Sequence, residues 1–182
     1  MRTVISCMLM CVLLSGHAIA ADTQQKISLY STCDANMVDS VWREHVSFRV
    51  SVGSWISEGV AVELPFACTL DQSGGGEILL DVSLKLLVYP WSSGPFIAIS
   101  LTQFALFIGP NIPQESMHYL NEISFGYTWS FSPRWFIRPA IIFRDPSDSA
   151  QDSFAYVAGL VPTHTRLKFS LDVGWVFASI IP

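Results

Sequence analysis

The stretch Glu122-Ile123-Ser124-Phe125-Gly126-Tyr127-Thr128-Trp129-Ser130-Phe131 decides the fold. Its odd positions are large and apolar or aromatic, and its even positions are small, polar or charged. Strict period 2 puts the two sets on opposite faces of a strand. Ser132-Pro133-Arg134 forms a tight connection, and residues 135–145 return with Arg138 and Arg144 on the polar face. Reflection about Pro133 sets Glu122 opposite Arg144. A soluble sandwich would bury the apolar face against a second sheet, whereas a membrane barrel turns that face outward against acyl chains.

The same rhythm runs along the chain. Residues 46–55, 60–70, 78–89 and 96–108 read as strands, followed by 122–131, 135–145, 154–161 (the weakest) and 167–177. Pro65 implies a bulge or a local gap in the ladder, and the alternation slips near Gln103-Phe104 as at a bulge. Asp71-Gln72-Ser73-Gly74-Gly75-Gly76 is a loop; no Lys-Ser/Thr follows the glycines, so it is not a phosphate loop. The expected class is all-β: an antiparallel, up-and-down transmembrane β-barrel of about eight strands, near the ~9–11 residues a tilted strand needs to cross a bilayer.

Composition agrees with a lipid-facing surface. Hydrophobic residues are 51% of the chain and charged residues 14%, against about 25% charged in a typical soluble domain. Arg2, the apolar run from Val4 to Leu14 and Ala18-Ile19-Ala20 read as a signal peptide over residues 1–20. Its removal takes Arg2 and leaves 9 basic against 15 acidic residues, hence −6 where the whole chain carries −5. There is no basic cluster, so nucleic acid is excluded as a partner. Residues 21–44 are an N-terminal extension, and residues 45–182 the barrel. Within the extension Met37, Val38, Val41, Trp42 and His45 follow Asp34 at helical spacing. That segment reads as an amphipathic helix or as a partly ordered arm. Cys33 and Cys68 remain after processing and are candidates for one disulfide; no metal or cofactor motif is present.

The polar faces carry Arg49, Lys85, Arg138, Arg144 and Lys168 against Glu63, Asp81, Glu122 and Asp172. Five cations against four anions is near balance, as the inside of a barrel requires. Surplus acid falls in loops, at Asp71, Glu77, Glu115, Asp148 and Asp152. Hairpin reflection sets Glu63 opposite Lys85 and Arg49 diagonal to Glu63, which predicts an Arg49–Glu63–Lys85 row. The opposite faces offer Phe48, Phe66, Phe125, Tyr127, Trp129, Phe131, Phe169, Trp175 and Phe177 to lipid.

The leader, the aromatic-flanked alternating strands and a last strand ending Gly174-Trp175-Val176-Phe177 resemble the small outer-membrane β-barrel proteins of diderm bacteria, of OmpA, OmpX and OmpW type. Gly94-Pro95-Phe96-Ile97 and Gly126-Tyr127-Thr128-Trp129 are similar to strand openings common there. The resemblance covers about residues 45–177 and implies membrane lipid and the outer-membrane assembly machinery as partners. It implies short turns and both termini in the periplasm. Eight strands counted from Val46 put the termini at the long-loop end instead. Either the short turns face outside, or a strand is miscounted, with residues 26–32 the candidate. A small barrel of this size is filled by side chains, leaving a narrow channel or a lateral path for apolar solutes. His45-Val46-Ser47, with Glu58 or Glu63, resembles the H-x-S pair of outer-membrane lipid A deacylases, but sits on the inner face. A soluble periplasmic ligand-binding barrel is the alternative of another class. No catalytic residue is assigned.

Overall fold

A computed structural model describes residues 27–36, 45–71, 78–109, 117–146, 148, 150–161 and 164–180. The strands are β1 (Ile27–Asp34), β2 (His45–Ser57), β3 (Val60–Asp71), β4 (Ile78–Val88), β5 (Pro95–Ile108), β6 (Met117–Tyr119), β7 (Glu122–Tyr127), β8 (Trp129–Ser130), β9 (Trp135–Arg144) and β10 (Leu167–Ile180). One helix, α1 (Gln151–Leu160), stands between β9 and β10. Segments β6, β7 and β8 follow one another along a single stave, so the sheet has eight staves. Each neighbour pair is antiparallel, and β10 pairs with both β9 and β1, which closes the barrel.

Two assignments change. Residues 27–34 are a barrel strand, so the barrel starts at Ile27 and not at residue 45; Asp34 ends β1 instead of capping a helix. Residues 154–161, read as the weakest strand, fall in this helix and its C-cap Val161. The two changes offset each other in the count and move both ends of the described barrel to the short-turn end. Ile27 pairs with Ile180 and Ser28 with Trp55, so both ends of the described barrel lie beside the short β2–β3, β4–β5 and β8–β9 turns. The signal peptide and residues 37–44 lie outside the described residues.

Irregularities fall where the backbone lacks a donor or gains a residue. The β3–β4 ladder skips Leu64 and Pro65, because proline has no N–H to give. Pro139 interrupts the β9 ladder in the same way, between the Gly126–Ala140 and Trp129–Ile137 pairs, and splits β7 from β8 at Thr128. A bulge puts Leu101 between Thr102, opposite Leu84, and Ser100, opposite Lys85. It switches the inward set from Phe96 and Ala98 to Gln103, Ala105 and Phe107. The tight turn after β8 is held by the Ser132 hydroxyl, which accepts from the Trp135 N–H at 3.0 Å and the Arg134 N–H at 3.3 Å.

Candidate functional site: the barrel interior

The interior is built in three layers. At the short-turn end Tyr30, Trp55, Tyr89, Phe96 and Phe136 pack as an aromatic floor. Tyr30 meets Phe136 edge-on at 5.6 Å, and Trp55 lies 4.5 Å from Tyr89. Three inward glycines make room for these rings. Gly53 is the register partner of Tyr30, Gly126 of Phe96 and Gly174 of Phe136. A Cβ on any of the three would run into its partner's ring. Pairing an aromatic ring with a cross-strand glycine also covers backbone that the glycine would leave bare.

The middle layer holds the charges. Of the nine polar-face residues read from the alternation, Glu63, Lys85, Glu122, Arg138 and Arg144 are buried and Arg49, Asp81, Lys168 and Asp172 half-buried. Glu122 Oε2 takes Lys85 Nζ at 2.7 Å and Arg49 Nη2 at 3.5 Å, while Oε1 takes Arg144 Nε at 3.0 Å. Glu63 Oε2 takes Arg138 Nη1 at 2.6 Å and the Tyr30 hydroxyl at 3.1 Å. The Gln103 amide donates to both Asp81 oxygens, at 3.1 and 2.9 Å. Lys168 reaches Asp34 at 3.3 Å. Asp172 is the register partner of Arg138. The Arg138 guanidinium also lies 5.3 Å from the Tyr30 ring centroid, 5.5 Å from that of Phe96 and 5.1 Å from that of Phe136, which ties the charge layer to the floor.

The expected row differs in its partners. Glu63 and Lys85 are register partners, and so are Glu122 and Arg144. Arg49, however, faces Ala67, while Glu63 faces Gly53. Glu63 therefore lies four residues, about 13 Å, along β3 from the partner of Arg49. Arg49 reaches across the lumen to Glu122 instead, and Lys85 reaches it over Ser100 of β5. Asp34, two residues past the 26–32 segment named as the possible extra strand, supplies a fifth acid: Asp34, Glu63, Asp81, Glu122 and Asp172 stand with Arg49, Lys85, Arg138, Arg144 and Lys168. A small cavity of about 30 Å³ between Arg49, Glu63, Lys85, Arg138 and Asp172 is the space left among them. That is room for about two waters.

The third layer is α1. Val157 and Val161 pack on the inward residues Leu79, Ala105 and Phe107 at the long-loop end of β4 and β5, with Leu120 beside them. Tyr156 meets Phe107 edge-on at 5.6 Å and stacks on His118 at 4.4 Å. The helix therefore fills the mouth opposite the aromatic floor. Asp145 sets the approach to it. This residue adopts φ 49°, and its Oδ1 accepts the Ala150 N–H at 2.9 Å.

The outer face carries the aromatics. Phe48, Phe66, Phe125, Trp129, Phe131, Phe169, Trp175 and Phe177 are exposed, while Tyr127 is half-buried beside Gly94. Cys33 and Cys68 are free thiols, which corrects the candidate disulfide. Cys33 pairs with Val50 and Cys68 with Phe48, so β2 lies between them; two strand spacings, about 9.5 Å, exceed the span of a disulfide. Glu58 lies in the turn at the far end of β2 from His45, and Glu63 is held by Arg138, so neither is an acid beside His45-Val46-Ser47.

The crystal structure of the N-terminal β-barrel domain of Pseudomonas aeruginosa OprF superimposes on this barrel with a TM-score of 0.50 over 85% of this chain and 98% of that one. The fold is that of the small OmpA-type outer-membrane barrels. At 13% identity the likeness is one of fold. No family model matches the sequence, and no curated protein does.

Proposed function

We propose that this chain is an integral outer-membrane protein, a lipid-embedded barrel with a sealed interior and no catalytic role. One observation carries the reading: a closed sheet whose ion-paired strand charges meet inside it and whose outer face exposes large apolar side chains on seven of its eight staves. Val52, Leu64, Val82, Ile99, Leu101, Phe125, Ile141 and Phe169 are exposed on it. A single closed sheet has no second sheet to cover such a band, and water does not solvate it, whereas hydrocarbon does. Trp91, Trp129, Phe131, Trp135, Trp175 and Phe177 cluster toward the short-turn end, where an aromatic girdle would meet lipid headgroups. The soluble ligand-binding alternative would need this face buried.

Sealing follows from the layers. Aromatic floor, paired charges and helix fill the described interior around a small cavity between Arg49 and Asp172, which argues against a free solute path. On this reading the barrel anchors or displays rather than conducts, and β10, with Phe177 on its outer face, is the segment offered to the assembly machinery.

The test is electrophoresis of the chain refolded in detergent, boiled against unboiled. A mobility shift with β-type circular dichroism is expected, together with no steady conductance in a planar bilayer at neutral pH. Solubility in plain buffer without a shift would sink the membrane reading. A stable open conductance would sink the sealed interior and leave the barrel.

A further inference from the structure

We infer that α1 is a pH-released plug: neutral His164 lets the helix seat in the long-loop mouth, and protonation of His164 drives it out.

The geometry sets an aromatic contact beside a buried imidazole whose Nε2 has no partner among the described residues. His164 is 6% exposed. Its ring lies 5.5 Å from Phe154 of α1, and its backbone N–H donates to the Val161 carbonyl at 2.8 Å. Its Nε2 is buried and has no hydrogen-bond partner among the described residues. The charged groups that reach it are Arg144 from β9, Lys168 from β10 and Glu122 from β7. Glu122 is already committed to three cations. On the other side of the helix His118 of β6 stacks on Tyr156, with its own Nε2 buried and without a partner among the described residues. Arg166 lies 5.4 Å from the Phe154 ring and pairs with Asp148 at 2.7 Å and Asp145 at 4.0 Å. A proton on His164 would thus place a third cation between Arg144 and Lys168, against apolar packing.

The helix has little to resist this. It has no side-chain N-cap bond and no basic residue in its last turn. Gly159 lies inside it, where glycine weakens a helix relative to alanine. Its seat depends on Phe154, Val157 and the following Val161, which are buried.

Burial, with Arg144 adding to it, pushes the His164 imidazole down to about 3. The free value is ~6.5. The released state therefore binds the proton and the seated state does not. Docking strength is full above about pH 6.5 and falls as the pH drops from there toward 3. Between pH 7.5 and pH 5.0 the opening equilibrium of α1 should rise about thirty-fold.

Hydrogen–deuterium exchange on the full chain, refolded in detergent micelles, tests this. After correction for intrinsic exchange, peptides covering residues 151–161 should lose protection about thirty-fold from pH 7.5 to pH 5.0, while β3 and β4 peptides hold theirs. His164→Phe, or the smaller neutral His164→Asn if the first does not refold, should keep α1 protected at pH 5.0. Equal protection of wild-type α1 at both pH values would overturn the inference. So would a neutral variant that still opens at pH 5.0, since another group would then be the trigger.

Discussion

Arg144 Nε donates to Glu122 Oε1 over 3.0 Å, and the two are register partners on β9 and β7. Lys85 and Arg49 converge on the other oxygen of the same carboxylate, so one buried anion neutralises cations from three staves. Glu122→Gln keeps the shape and removes the charge. Removing one partner from a buried charge cluster costs about 3–5 kcal/mol. The expected outcome is a matching fall in the urea midpoint of the compact, gel-shifted form. An unchanged midpoint would mean that water screens the layer.

The cross-lumen pairing also separates two lysine and arginine variants that hairpin reflection would confuse. On reflection alone Lys85→Leu should strand Glu63. In the structure Glu63 keeps Arg138, and Glu122 keeps Arg49 and Arg144. Lys85→Leu should therefore cost about 1–3 kcal/mol, the range for one lost charged hydrogen bond. Arg138→Leu should cost more, about 3–5 kcal/mol, because it leaves Glu63 with Tyr30 and no bonded cation. The two urea midpoints, measured side by side, decide it; the reverse order would assign Glu63 to Lys85.

These pairs mark how far the sequence could be read. Period 2 fixes which side of a strand a residue occupies, so nine of the ten charges named above could be placed on polar faces, Asp34 being the exception, and Glu122 could be set opposite Arg144 across a tight turn. Partners across the lumen were not, because they depend on closure and not on any one hairpin. The Arg49–Glu63 diagonal fails on register alone, since reflection about Glu58 already sets Arg49 against Ala67, four residues from Glu63. Strand β1 was hard to see because Tyr30 faces in and Ser31 faces out, which blurs the polar–apolar contrast. Helix α1 misled in the opposite sense. Phe154, Tyr156 and Ala158 alternate like a strand, yet its buried residues are Phe154 and Val157, continued by Val161, at helical spacing. The three glycine–aromatic pairs were visible as isolated glycines only, since their meaning lies in register.

Those glycines carry a prediction of their own. Gly174 lies beneath the Phe136 ring, and a Cβ there would overlap the ring carbons. Gly174→Ala should force the ring off its seat and destabilise the barrel by about 1–3 kcal/mol, as overpacking does. The double variant Gly174→Ala with Phe136→Leu should recover part of that loss, because the smaller side chain vacates the space. Urea midpoints of the single and double variants check this. Additive losses would mean that the ring and the glycine do not share that space.

The outer face can be tested at mid-strand. Val82 is 43% exposed and stands between Phe66 on β3 and Phe104 on β5. Facing hydrocarbon near the middle of the bilayer, Val82→Lys should cost about 2–4 kcal/mol. The same change at Trp91, in the β4–β5 turn and 72% exposed, should cost about 0–1 kcal/mol if that end sits at the interface. Reversible unfolding in lipid vesicles measures both. The depth dependence is what separates lipid from water, since an aqueous outer face would accept lysine at Val82 as readily as at Trp91. Equal and small costs would therefore place the outer face in water and remove the basis for membrane insertion.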